Sequence, residues 1–297
     1  MRSYSTVLFI FFQPLSSLTF MDTMTNPILE GVMLLWFLLT ALSLLFVVID
    51  IRTTPASSVL KWGFILLTAY LGPIGVFLYV LGCREPFPGL HERYVATRWR
   101  QVLGSTMHCV AGDGVGILAG AVLASLLHVS KVTDITLEYV LGFAFGWSIF
   151  QALFMRSMAG GSYRRSLGIT FFPELLSMNF LMAGMVPVMT LAMKNVPMGH
   201  DPTGPTFWFI MSMSLLVGFI TAYPINWWLV SHHLKHGMET VQPGDKLAIA
   251  RGEQVKSKPP MDSREKPVST SVLTWMTILT FVIFGLGLSI AVIFGGI

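Results

Sequence analysis

Residues 103–128 read LGSTMHCVAGDGVGILAGAVLASLLH, and this stretch decides the fold. It is apolar and long enough to cross a membrane as a helix, since a bilayer core takes about 20 residues at about 1.5 Å each. Yet Met107, His108, Cys109 and Asp113 sit inside it. Ionisable groups at membrane depth are costly and are kept where they face a bundle interior or an ion pathway. At about 100° per residue, Cys109 and Asp113 lie one turn apart on one face. His108 shares a face with Gly112, Gly116 and Gly120, a small-residue ridge that admits a close neighbouring helix.

Working outward, six further apolar blocks flank this one. The expected spans are 27–49, 60–82, 103–128, 136–156, 167–193, 206–231 and 270–294. The chain of 297 residues is 54% hydrophobic and only 11% charged, against about 25% charged for an ordinary soluble domain. The expected fold is therefore all-α, a polytopic bundle of seven transmembrane helices. Of the 19 Lys and Arg, only Arg52, Lys61, Lys131 and Lys194 fall on the side opposite the N-terminus. Positive charge stays inside, so the expectation is N-terminus in and C-terminus out. The same distribution absorbs the net charge of +4 without nucleic acid. The expected partner is the lipid bilayer, and the expected location is the cell inner (plasma) membrane, with oligomeric state open.

The chain divides as follows. Residues 1–26 are an N-terminal segment, interfacial or upstream of the true start. Residues 27–100 form a two-helix unit, 101–237 a four-helix core, 238–268 a cytoplasmic disordered linker and 269–297 a C-terminal membrane helix. The linker is punctuated by Pro243-Gly244, Pro259-Pro260 and Pro267 and lacks apolar periodicity. Cys83 and Cys109 offer no disulfide framework.

Two more constellations carry chemistry. In the fifth span Glu174, Met178, Met182, Met185, Met189 and Met193 fall on one helical face. Thioethers in series suit a soft ion such as Cu(I); they also fill gaps in apolar cores, so packing is the alternative. Met198 and His200 follow just outside the membrane, placed to collect an ion. In the sixth span Pro224 kinks the helix ahead of Asn226, Trp227 and Trp228. His232 and His236 follow at the i, i+4 spacing of a metal pair, or as headgroup contacts beside an aromatic belt. His108, Asp113, Glu174, Asn226 and His232 all fall in the half of their spans nearer the cytoplasm. His128, Asp134 and Glu138 lie near the outer end and are expected to be solvated, and Leu71-Gly72-Pro73 reads as a kink. The segment around Gly160-Gly161 lacks the Gly-Lys-Ser/Thr ending of a P-loop. No hydrolase, zincin, thioredoxin-like or haem c motif occurs, so nothing marks an enzyme.

On Tyr70-Leu71-Gly72-Pro73, Met107-His108-Cys109 with Gly112, and Pro224, Asn226, Trp228 and Leu229, the chain resembles a prokaryotic multi-pass membrane family known as domain of unknown function 4396. The resemblance covers roughly 55–238, with its core at 100–238. In that family a second Cys often stands where this chain has Asp113, with an acid where it has Ile117. The resemblance implies a membrane protein and strengthens His108, Cys109, Gly112 and Asn226 as site residues; it implies no reaction.

The leading functional expectation is a transporter or permease for a soft or transition-metal cation, copper among them. His108, Cys109, Asp113, Glu174, Met178, Met182, Met185, Met189, His232 and His236 would be ligands. Met193, Met198, His200 and Asn226 would line the pathway. The alternatives are a structural or assembly protein without transport activity, and a redox subunit binding haem b or quinone through His108 and His232 or His233.

Overall fold

The computed structural model describes residues 27–156, 161–238 and 268–296. The N-terminal segment 1–26 and nearly all of the 238–268 linker lie outside the described residues. All regular structure among the described residues is helical. The helices are α1 (Pro27–Asp50), α2 (Ser58–Leu71), α3 (Pro73–Gly82), α4 (His91–Val95), α5 (Arg98–Leu127) and α6 (Lys131–Phe145). A π-helical turn, Gly146–Gln151, joins α6 to the short α7 (Ala152–Phe154). Then come α8 (Tyr163–Asn195), α9 (Pro205–Ser231) and α10 (Thr270–Ile290), which ends in a π turn, Ala291–Gly295. Serines start four of them: Ser57, Ser130, Ser162 and Ser269 each accept a hydrogen bond from an amide of the first turn.

Among the described residues, six helices are long and apolar enough to cross a membrane: α1, α5, α6 with its extension, α8, α9 and α10 with its π turn. The protein is an integral membrane protein. Its most buried helices are α5, α8 and α9, whereas α1 and α10 bury little within the bundle and leave apolar faces for lipid.

The expected second span, 60–82, is not a single helix. It breaks at Gly72 (φ 54°) and folds back as a hairpin. Gly75 packs on the backbone of Leu67 and Thr68. The Phe64 and Tyr79 rings meet edge to face at 5.5 Å. On the way in, Gly63 lies beside Met107 and Tyr70 beside Gly114; on the way out, Gly82 lies beside Leu103. The hairpin thus reaches only the depth of Asp113 and returns to the end from which α5 starts. Gly72 suits the tip because a Cβ there would strike Thr40 and Trp36, and its φ is one that side chains rarely adopt. The break leaves backbone carbonyls without helical partners at membrane depth, where they must be satisfied by protein. Ser212 Oγ donates to the Tyr70 carbonyl, and Trp36 Nε1 donates to Ser212 Oγ at 3.0 Å.

Of the seven expected spans, six are thus found as membrane-length helices among the described residues. Asp50, at the end of α1, pairs with Arg84, just after α3, at 2.9 Å, and Tyr79 donates to Asp50 at 2.8 Å. Both ends of the hairpin therefore sit beside the end of α1. The beginning of α1 lies at the opposite end of the bundle, where α5 finishes and α9 starts. The last helix ends there too: Lys131 donates to the Gly296 carbonyl at 2.9 Å and Lys194 to the Phe294 carbonyl at 2.8 Å. The two ends of the described chain thus share one end of the bundle rather than facing opposite ways.

The glycine ridge works as its spacing requires. Gly112 lies against Phe150, Gly116 against the backbone of Leu141 and Gly142, and Gly120 against the backbone of Glu138. This close approach sets α6 and its π turn directly on the polar face of α5.

Candidate functional site

Cys109 on α5, Glu174 and Ser177 on α8, and Asn226 on α9 converge in one buried cluster. The Cys109 thiol donates to Glu174 Oε2 at 3.3 Å, and Ser177 Oγ donates to Cys109 Sγ at 3.3 Å. Asn226 Nδ2 donates to Ser177 Oγ at 2.7 Å and to the Ala222 carbonyl at 2.9 Å. Ser105 Oγ donates to Asn226 Oδ1 at 3.3 Å. Three helices far apart in sequence are tied together by one hydrogen-bonded ring, as the depth matching of their polar residues anticipates.

The centre of the ring is a residue that the sequence does not single out, Lys235. Lys235 Nζ forms a salt bridge with Glu174 Oε2 at 2.8 Å, with both side chains fully buried. It also donates to Cys109 Sγ and, at 3.3 Å, to Asn226 Oδ1. A strap, residues 232–238, carries it inward. His233 turns the chain with φ 56°, and the amides of Leu234 and Lys235 both return to the Leu229 carbonyl. Gly237 then seats on the backbone of Gln101 and Met238 on Gly104. Gln101 Nε2 donates to the Met238 carbonyl at 3.0 Å.

Asp113 extends the cluster toward the opposite end. It is fully buried, with Glu174 and Lys235 as its charged neighbours. Its carboxyl lies against Gly146, where any Cβ would collide with it. The widened π turn beginning at Gly146 is of the kind that interrupts α-helices at functional positions. No N–H, hydroxyl or thiol donor reaches either Asp113 oxygen or Glu174 Oε1, and the two carboxyl groups face one another closely enough to share a proton. Two carboxyl groups here face one ammonium, which leaves one negative charge to be met by a proton or another cation.

Glu138 departs from expectation. It is completely buried rather than solvated, and both of its oxygens lack partners. Asp134, one turn away, has one buried oxygen in the same condition. Asp134 lines a vestibule of about 840 Å³ at the end remote from Lys235, together with His128, Lys131, Met193, Met198 and His200. Met198 and His200, expected to collect an ion, share this cavity with Met193 of the expected pathway and with Asp201. Partial burial and nearby Lys131 lower the pKa of His200, which favours its neutral, lone-pair-bearing form. Hydrogen bonds from Thr203 lower that of Asp201 and hold it ionised.

Other expected residues stand apart. His108 is buried, with its ring 4.1 Å from that of Phe154 and both nitrogens unpartnered. His232 is exposed, stacks on Trp228 and bonds the Trp228 carbonyl through Nδ1. His236 is half-buried on the strap. Met178, Met182, Met185 and Met189 are buried in the main apolar cluster with Leu181, Phe207 and Leu215. Among the described residues no three His, Cys, Asp or Glu side chains are grouped as a metal-holding set.

Residues 98–235 match the family described as domain of unknown function (DUF4396). The chain resembles that family over these residues. The match runs from the first residue of α5 to Lys235, so it encloses the whole buried cluster and leaves α1 to α4 and α10 outside. No curated protein and no solved structure significantly matches the chain.

Proposed function

We propose that the protein is a cation permease, with its path along the seam where α5 meets α6 and α8. The single observation that carries this reading is the run of buried carboxyl groups between the vestibule and Lys235. Asp134 stands at the vestibule, Glu138 one turn deeper, then Asp113, then Glu174. From Gly120, beside Glu138, to Asp113 is seven residues of α5, or about 10 Å. Carboxyl groups in excess of the cations around them are expensive to bury in a bilayer-spanning bundle, and cation traffic is the usual reason for keeping them. The proposed substrate class is a soft or transition-metal cation, supported by the Cys109 sulfur inside and the Met193, Met198 and His200 donors in the vestibule. The buried methionines of α8 are fully accounted for by packing and add no support. No nucleotide-binding motif is present in the sequence, so movement would follow a gradient or an exchanged proton.

The proposed setting is an inner membrane with the Lys235 end facing the cytoplasm. The hairpin brings Arg52 and Lys61 to that end, joining Arg84, Arg100, Arg164 and Arg165, in keeping with positive charge inside. The N-terminal end of α1 would then face outward, the reverse of the orientation expected from seven spans.

Reconstituted vesicles test the reading. Uptake of Ag(I), Zn(II) and protons should exceed that of empty vesicles for at least one of them. Glu138→Gln and Asp113→Asn should each reduce that uptake at least tenfold. Flux equal to empty vesicles for all three ions would end the permease reading. The structural alternative has one observation in its favour: the donors and acceptors around Asn226 satisfy one another and tie three helices. It predicts altered thermal stability in the same two variants with no flux in any sample. The haem or quinone reading has none, because His108 packs on Phe154 and His232 on Trp228, and neither the vestibule nor the smaller pocket beside Trp36 is lined by them.

A further inference from the structure

Lys235 Nζ is enclosed by three acceptor atoms from three helices: Cys109 Sγ, Glu174 Oε2 and Asn226 Oδ1. That is the environment of a bound cation. The group occupying it happens to be covalently attached to the chain through a seven-residue strap, 232–238. We infer that Cys109, Glu174 and Asn226 form a binding site for a monovalent cation, an ammonium-type or soft metal ion, and that Lys235 is its tethered occupant. The inference rests on the permease reading for its use in transport, but the site itself is tested by binding alone.

Three features support a removable occupant rather than a fixed core pair. First, the apolar anchors of the strap lie on either side of Lys235 in the chain rather than at it: Leu234 packs on the cluster of Leu176, Ile225 and Leu229, and Met238 joins the main apolar cluster. Gly237 rests on Gln101, and the hydrogen bond from Gln101 to Met238 spans the same contact. Second, the strap follows the end of α9 and Gly237 meets Gln101 at the start of α5, so Lys235 reaches the site from one end of the bundle. Third, the site does not depend on the lysine for its shape. Ser105 and Ser177 hold Asn226, and Ser177 holds Cys109, through bonds that do not involve Lys235.

The ligand class follows from the donor set. A primary ammonium already fits. The site offers one sulfur, one carboxylate oxygen and one amide oxygen, with the Glu174 carboxyl facing Asp113 on its other side. A single positive charge restores the charge that Lys235 supplied, so a monovalent ion substitutes for it one for one. Sulfur favours a soft ion such as Ag(I) over Na(I). While Lys235 is seated, it competes with any such ion, and the strap acts as a gate whose opening and ion entry are mutually dependent.

Chemical rescue tests this directly. Lys235→Ala should lower the midpoint of thermal unfolding by leaving Glu174 buried without its partner. Ammonium or methylammonium chloride should restore at least half of that loss, and choline chloride at equal ionic strength should not. Purified Lys235→Ala should also bind Ag(I) at least tenfold more tightly than wild type, with the gain abolished in Lys235→Ala/Cys109→Ser. Should Lys235→Ala fail to fold even when purified in ammonium salt, that failure of rescue counts against the site. Gly237→Val supplies an independent arm, since it displaces the strap while keeping the lysine. It should raise alkylation of Cys109 by N-ethylmaleimide at least tenfold. No selective rescue together with no gain in Ag(I) affinity overturns the site, and unchanged Cys109 alkylation in Gly237→Val overturns the gate. These readouts involve no flux, so they separate failure of the site from failure of the permease reading.

Discussion

At the scale of single residues, the buried pair sets the energetics. Removing one partner of a buried ion pair leaves an uncompensated charge and costs about 3–5 kcal/mol, whereas replacing both with apolar isosteres is often neutral. Glu174→Ala should therefore strongly depress the unfolding midpoint in detergent. The double variant Glu174→Gln/Lys235→Met should recover most of the loss. Equal losses in the two would mean that the pair is not coupled. Cys109, Glu174 and Asn226 were legible in the sequence because each interrupts an apolar helical run at a matching depth. Lys235 was not, because it lies past the end of α9 in a basic segment, where a lysine ordinarily marks only the cytoplasmic side. Glu138 was misread for a related reason. Its distance from the end of the span suggested water, but the Gly120 contact seals it under a neighbouring helix. The other thiol, Cys83, contrasts with Cys109. It lies outside the spans, 3.7 Å from His91, and burial pushes its pKa up to about 12, so at neutral pH it is an inert thiol.

At the scale of elements, the joint between α5 and α6 is decided by backbone approach. A methyl group at Gly116 would strike the Leu141 carbonyl, which cannot give way without shifting α6. Gly116→Ala should cost about 1–3 kcal/mol, the usual penalty of overpacking. Gly168→Ala, where nothing lies within reach of the added carbon, should be neutral or slightly stabilising because alanine favours helix. A denaturation series comparing the two variants checks the ridge; equal effects would refute it. The ridge itself was readable, since glycines four residues apart can serve little else in an apolar helix. The Gly72-Pro73 break was half readable. The residues signalled an interruption, but whether a chain kinks or doubles back depends on what receives it. Here Trp36, Thr40 and Ser212 do so from elements remote in sequence.

At the scale of the whole molecule, the hairpin decides sidedness. Thr53, in the connection from α1 to α2, should lie on the same side as Arg93 and opposite Ser130. Single cysteines at these three exposed positions, probed in sealed vesicles with a membrane-impermeant maleimide, distinguish the arrangements. Thr53→Cys should label with Arg93→Cys and not with Ser130→Cys. Labelling from the Ser130 side would restore a continuous second span. The sequence held one clue: Arg52 and Lys61 were two of only four basic residues on the supposedly outer side, and the hairpin removes that anomaly. Hydropathy could not use the clue, because α2 and α3 together have the length and composition of one ordinary span.

A hairpin that stops halfway has a consequence for the membrane as well as for the chain. Among the described residues, the half of the bundle it enters holds two more helical segments than the half it never reaches. The described bundle consequently carries more helical cross-section at the lysine end than at the vestibule. Lipids around a body of unequal cross-section cannot pack with equal lateral pressure in both leaflets, so the surrounding sheet relaxes by bending, and the molecule is most at ease where the membrane already curves toward the vestibule end.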